Sequence, residues 1–130
     1  MSDYTVRRIG DMDTFYKGLL LRARGELGVQ SFGLAVIDLE RGADDHPEHD
    51  HAQAGQEEVF VVLRGTGTME VDGDIVDLDP ETIVRVGPGA KRRIAPGTGG
   101  IRLLAIGGVP NQAYQAPAYT DVGAPDPLAP

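Results

Sequence analysis

Short apolar runs, rich in β-branched residues and alternating with polar ones, recur along the chain between glycine- and proline-containing stretches. Alternation with a period of two marks half-buried strands, and the regular punctuation favours an all-β sandwich or barrel. Residues 5–9 (TVRRI) read as a first strand, and residues 10–16 (GDMDTFY) as a turn of helix or a loop. Residues 19–29 (LLLRARGELGV) open with three consecutive leucines. Gly18, Gly25 and Gly28 around them predict a strand rather than a helix. Residues 31–39 (SFGLAVIDL) predict a strand that ends at the polar ERGADD loop. Residues 57–63 (EEVFVVL) predict the strongest strand, with Arg64-Gly65-Thr66-Gly67 as its turn. Residues 68–71 and 75–78 flank Asp72-Gly73-Asp74 and predict a β-hairpin. A strand at 82–86 follows the Asp79-Pro80 turn, and 92–94 and 101–106 are the last two strands, separated by a PGTGG loop.

From Gly107 onward the pattern stops. Five prolines and no apolar periodicity predict a tail that lies over the body or is partly disordered. The domain reading is therefore one barrel over residues 1–107, with its core at 31–106, and a Pro-rich tail at 108–130. A chain of 130 residues can bury one continuous core.

Charge narrows the partners. The net charge is −8, and the twelve basic residues, nearly all arginine, form no stripe. That excludes nucleic acid and a membrane surface as expected partners, because both need phosphate neutralisation. There is no cysteine, hence no disulfide, thiolate nucleophile or sulfur-ligated metal. No apolar run approaches membrane-spanning length, and the first residues lack the apolar core of a signal peptide, so the expected location is cytoplasmic.

The chemistry concentrates in HPEHDHAQAGQEEVFVVLRG, residues 46–65, which holds all three histidines. On an extended backbone His49 and His51 leave the same face. Two neutral imidazoles and a nearby carboxylate suit a divalent transition metal. If Glu58 faces the interior, Phe60 and Val62 do too, while Val59, Val61 and Leu63 face the other side. Both faces of that strand are then apolar and both need a cover.

These residues resemble the first motif of the cupin superfamily: Gly42, the pair His49-Asp50-His51, Glu58, and Gly65 after six intervening residues. The gap from His51 to Glu58 is wider than usual, as though AQAGQE lengthened a loop. The resemblance implies a double-stranded β-helix, or jelly-roll barrel, assembled as a homodimer. The second motif departs from the pattern. Val86-Gly87-Pro88-Gly89-Ala90-Lys91 leads to Arg92 where a fourth histidine ligand would stand, and Pro96 replaces the asparagine that follows it. Arginine has no lone pair to give.

Three readings of the pocket follow. His49, His51 and Glu58 bind a metal (iron, manganese, nickel or zinc) with open positions left over. Alternatively Arg92 pairs with Glu58 and stands in for the metal charge. Or Arg92 is solvated at the barrel mouth. A cation beside the triad opposes a divalent ion by about 4 kcal/mol per unit charge at ~4 Å and an effective dielectric of ~20. Arg92, Phe60 and His46 are the expected ligand contacts. His46 is not a usual ligand position, and surface polarity is expected for it. Asp44, Asp45, Glu48 and Asp50 are expected to form a solvated acidic rim. The functional expectation is a small-molecule-binding cupin with an incomplete metal site. The alternative is a metal-dependent oxygenase or isomerase acting on a small carboxylate-bearing substrate, since the fold hosts unrelated activities.

Overall fold

The computed structural model describes residues 2–41 and 46–127. Gly42 of the motif, and Asp44 and Asp45 of the acidic rim, lie outside the described residues. Seven strands build one antiparallel sheet: β1 (Thr14–Phe15), β2 (Leu20–Leu21), β3 (Gly33–Leu39), β4 (Glu57–Val71), β5 (Asp74–Leu78), β6 (Ile83–Val86) and β7 (Arg92–Gly108). Their order is β1-β2-β3-β7-β4-β5, with β6 also paired to β4. Among the described residues no helix is long and apolar enough to cross a membrane.

The two central strands are longer than the sequence pattern predicts. β4 and β7 pair from Glu57↔Gly108 to Val71↔Arg92, with register shifts between Val62 and Arg64 and between Gly65 and Gly67. Arg64-Gly65-Thr66-Gly67 is therefore not a terminating turn, and the PGTGG stretch does not separate two strands. Both are places where one long ribbon bends. Bulges increase local twist, and glycine allows the close backbone approach that such a bend requires. Gly65 has φ +82°, and a Cβ there would stand 2.2 Å from Gly100 O. Because the ribbon bends, Phe60, Val62 and Leu103 from one half share a core with Met69 and Ile94 from the other, joined by Leu78 of β5. The Asp72-Gly73 hairpin is as expected. Both residues have positive φ (48° and 89°), the requirement of a two-residue turn matched to strand twist.

The N-terminal segment differs most from the expectation. Residues 5–9 form no strand; Tyr4 and Val6 are exposed, and a short 3-10 turn follows at Ile9–Asp11. The sheet edge is taken instead by β1 and β2, through Leu20↔Ile37 and Leu21↔Val36. After Leu21 the expected strand gives way to α1 (Ala23–Leu27). Gly28 ends this helix at φ +75°, with Gly28 N–H donating to Gly25 O and Val29 N–H to Arg24 O. A left-handed glycine closed by such backbone bonds is a common helix stop.

Two arginines around α1 are buried, Arg22 and Arg24, and buried guanidinium groups must be fully engaged. Their partners come largely from the tail. Arg22 Nε donates to Tyr119 O at 2.8 Å, and Nη1 to Asp13 Oδ2 at 2.7 Å. Arg24 Nε donates to Thr120 Oγ1 at 3.0 Å and Nη1 to Val29 O at 2.9 Å, while Nη2 pairs with the Asp121 carboxylate. Gly123 N–H donates to Asp13 Oδ2 at 2.8 Å. That bond first, and Arg22 second, hold the Asp13 carboxyl below its ordinary value. Tyr119, Thr120, Asp121 and Gly123 of the tail are thus bonded to Asp13, Arg22 and Arg24.

Candidate metal and ligand site

The histidine segment is tied to β7 through its backbone. His49 N–H donates to Arg92 O (3.0 Å), Arg92 N–H to His49 O (2.8 Å), and His51 N–H to Pro88 O (2.8 Å). This extended pairing aims His49 and His51 toward Glu58, whose strand neighbours Phe60 and Val62 are buried in the core. One ligand atom from each of His49, His51 and Glu58 falls within 4.8 Å of the others. Glu57, on the opposite parity, points away and pairs with Arg85 Nε at 2.7 Å.

Hydrogen bonds decide which nitrogen faces the site. His49 Nδ1 lies 2.9 Å from Pro47 O. A carbonyl only accepts, so Nδ1 carries the proton and Nε2 keeps its lone pair, the arrangement that prepares a histidine for a metal. His51 Nε2 is buried and lies 3.0 Å from Glu58 Oε1, an ion-pair contact rather than a well-formed hydrogen bond. A buried polar atom with no partner is costly. With its proton on Nε2 the imidazole pairs with the carboxylate; once that proton leaves, an imidazole nitrogen and a carboxylate oxygen present two lone pairs to one point. The donor set fits a divalent transition metal.

Arg92 occupies the fourth corner. Its side chain is fully buried, with Nη1 donating to Glu58 Oε1 at 2.9 Å and Nη2 to Gly87 O at 2.6 Å, while Nε lacks a partner. The reading that left Arg92 solvated at the mouth is overturned by this burial. Arg92 is also absent from the described residues that line the cavity, because it sits behind Glu58. Its expected part as a direct ligand contact therefore gives way to that of holding the glutamate. Burial alone would raise the Glu58 pKa; the adjacent His51, then Arg92 and His49, outweigh it, and the carboxyl lies below its ordinary value. A carboxylate offers about four lone-pair sites, so pairing with Arg92 does not exhaust Glu58.

His46 corrects another expectation. It is buried, not surface polarity, and its Nδ1 accepts from Ile94 N–H at 3.1 Å. Burial, followed by the charge of His49, pulls its pKa down to about 4, so the ring is neutral and holds its proton on Nε2. It does not join the three-residue metal group, but it lines a cavity of about 380 Å³ together with His49, His51, Glu58 and Phe60. The size suits a small-molecule site.

The family model described as "Cupin domain" matches residues 35–107. The chain belongs to the cupin family. No curated protein matches the sequence. Among solved structures, a cupin protein from Bacteroides fragilis is similar over 96% of this chain and 99% of its own, with 21% identity and a TM-score of 0.69. KdgF from Halomonas sp. is similar over 82% and 93%, at 12% identity and a TM-score of 0.63. The cupin domain of an XRE-family transcriptional regulator from Enterobacter cloacae is similar over 65% and 87%, at 25% identity and a TM-score of 0.54. These likenesses establish the shared fold.

The sequence pattern does not disclose the part of this cupin's cavity that the N-terminal edge and the tail supply. Phe15, Tyr16 and Leu20 come from the N-terminal edge, and Tyr114, Pro117 and Tyr119 from the tail. One signal was legible. Arg22 and Arg24 alternate within an otherwise apolar run, and buried arginines demand acceptors that only another segment can bring.

Proposed function

We propose that the protein binds a divalent transition metal through His49, His51 and Glu58 and, beside it, a small molecule in the adjoining cavity. The observation that carries this reading is the convergence of one ligand atom each from His49, His51 and Glu58 within 4.8 Å, with the buried His51 Nε2 lacking a well-formed hydrogen bond. A bound cation would satisfy it. Such an ion polarises a ligand oxygen as a Lewis acid. Titration calorimetry of chelator-treated protein with zinc, nickel, manganese and iron(II) tests the reading. At least one metal is expected to bind at one site per chain, and His51→Ala should weaken it at least a hundredfold. Absence of binding by all four, or an unaffected His51→Ala variant, would sink the proposal.

A homodimer belongs to the same proposal. The outer face of β4 and β6 pairs Val61 with Ile83, and Leu63 and Ile83 are 42% and 68% exposed. An open apolar strip of this kind supports contact with a second copy. Light scattering should return twice the 13.8 kDa chain mass; the mass of one chain would contradict it.

A further inference from the structure

One wall of the cavity is made by the tail, not the barrel. Tyr114, Pro117, Tyr119 and Thr120 line it together with Phe15 and Leu20. This segment has a built seat. A Cβ on Gly25 of α1 would stand 2.6 Å from Thr120 O and 3.1 Å from Val122 N, so the tail backbone lies directly on a position that only glycine leaves open. Arg22 and Arg24 fasten the same stretch through Tyr119 O, Thr120 Oγ1 and Asp121. The Tyr119 ring sits 5.7 Å from that of Phe15, and a Cβ on Gly33 would come within 2.9 Å of the Tyr114 hydroxyl, so glycine makes the notch into which that phenol fits.

The cations near the cavity are all engaged elsewhere. No lysine or arginine lines it among the described residues. Arg22 and Arg24 hold the tail, and Arg92 holds Glu58 and Gly87. Arg22 stacks 4.9 Å over the Phe15 ring with its Nε, Nη1 and Nη2 already bonded, so a charged group placed against Phe15 and Tyr119 would exchange its hydration for neutral phenol donors alone.

We propose that residues 114–120 form the specificity wall of the site and select a compact molecule with one oxygen-bearing head at the histidine–glutamate end and an uncharged, ring-sized apolar body. The proposal rests on the reading of His49, His51 and Glu58 as the anchoring end. It excludes ligands charged at both ends, such as phosphorylated acids and dicarboxylates.

A size-matched pair tests it. Monomethyl terephthalate and terephthalate share a ring and a carboxylate head and differ in charge at the far end. Calorimetry on the zinc-loaded protein should show the ester binding at least tenfold more tightly. Gly25→Ala improves the helix propensity of α1 while pushing the tail off its seat, and Tyr119→Ala removes an aromatic face. Each folded variant should weaken the ester at least fivefold and leave zinc affinity unchanged. Terephthalate binding as tightly as the ester, no binding of either, or wild-type ester affinity in both variants would overturn the proposal. Zinc titration alone reports separately on the anchoring end. If zinc does not bind, the same pair on metal-free protein still reads the wall.

Discussion

Replacing Arg92 with methionine is expected to lower stability and raise metal affinity together. The side chain is wholly buried and holds Glu58 Oε1 and Gly87 O. Removing one partner of a buried pair leaves the other charge uncompensated, at about 3–5 kcal/mol. For a domain of this size that corresponds to a fall in Tm on the order of 10–20 °C in metal-free protein. The same change removes a positive charge next to the three ligand atoms and releases the carboxylate, so zinc should bind at least tenfold more tightly and restore part of the lost Tm. The double variant Arg92→Met/Glu58→Gln should lose less than the sum of the single ones, because no buried charge is left alone. Arg92→His should go further in affinity, since imidazole brings a fourth lone pair to the corner. Melting curves with and without zinc read all of these. A stable Arg92→Met protein with unchanged zinc affinity would mean that Arg92 neither supports Glu58 nor opposes the ion.

Gly65→Ala is expected to be the most damaging single methyl in the barrel. The position combines a φ of +82° with a backbone oxygen 2.2 Å from where the Cβ would stand. Left-handed φ alone costs an alanine about 1–2 kcal/mol, and the clash with Gly100 cannot relax through a flexible side chain. The total should reach about 3–4 kcal/mol or more, which places it among the exceptional point changes. Gly73→Ala is the control: its φ is +89°, but no atom lies within 4 Å of the new Cβ, so only the backbone term remains. Denaturant unfolding should rank Gly65→Ala well below Gly73→Ala; equal losses would show that the close crossing of β4 and β7 is not what the glycine protects.

The barrel was legible because its strands carry their own alternation, and the hairpin because Asp72-Gly73 announces the only turn that fits a twisted ribbon. Gly65 was legible as a motif position but misread as the end of a strand. A glycine at a bulge and a glycine at a turn look alike until the partner strand is placed. The N-terminal edge was misread for a different reason: LLLRARGELGV has no clean period, and Gly28 as a helix stop competes with glycines as strand breakers. The grouping of His49, His51, Glu58 and Phe60 on one side was legible from spacing, since parity on an extended backbone carries that information. The burial of His46 and the position of Arg92 behind Glu58 were not legible, because both depend on the backbone pairing between residue 49 and residue 92. The tail's share of the cavity rests on contacts spanning about a hundred residues, such as Arg22 to Tyr119, and no local pattern encodes a contact at that distance.

His49, His51 and Glu58 are expected to hold a divalent metal despite the arginine beside them. Anomalous diffraction at the zinc edge, from crystals grown with one equivalent of zinc, tests it most directly. A single strong peak is expected within bonding distance of both imidazoles and the Glu58 carboxylate, with Arg92 still bound to Gly87 O. An empty triad, with zinc found only at surface carboxylates, would contradict it.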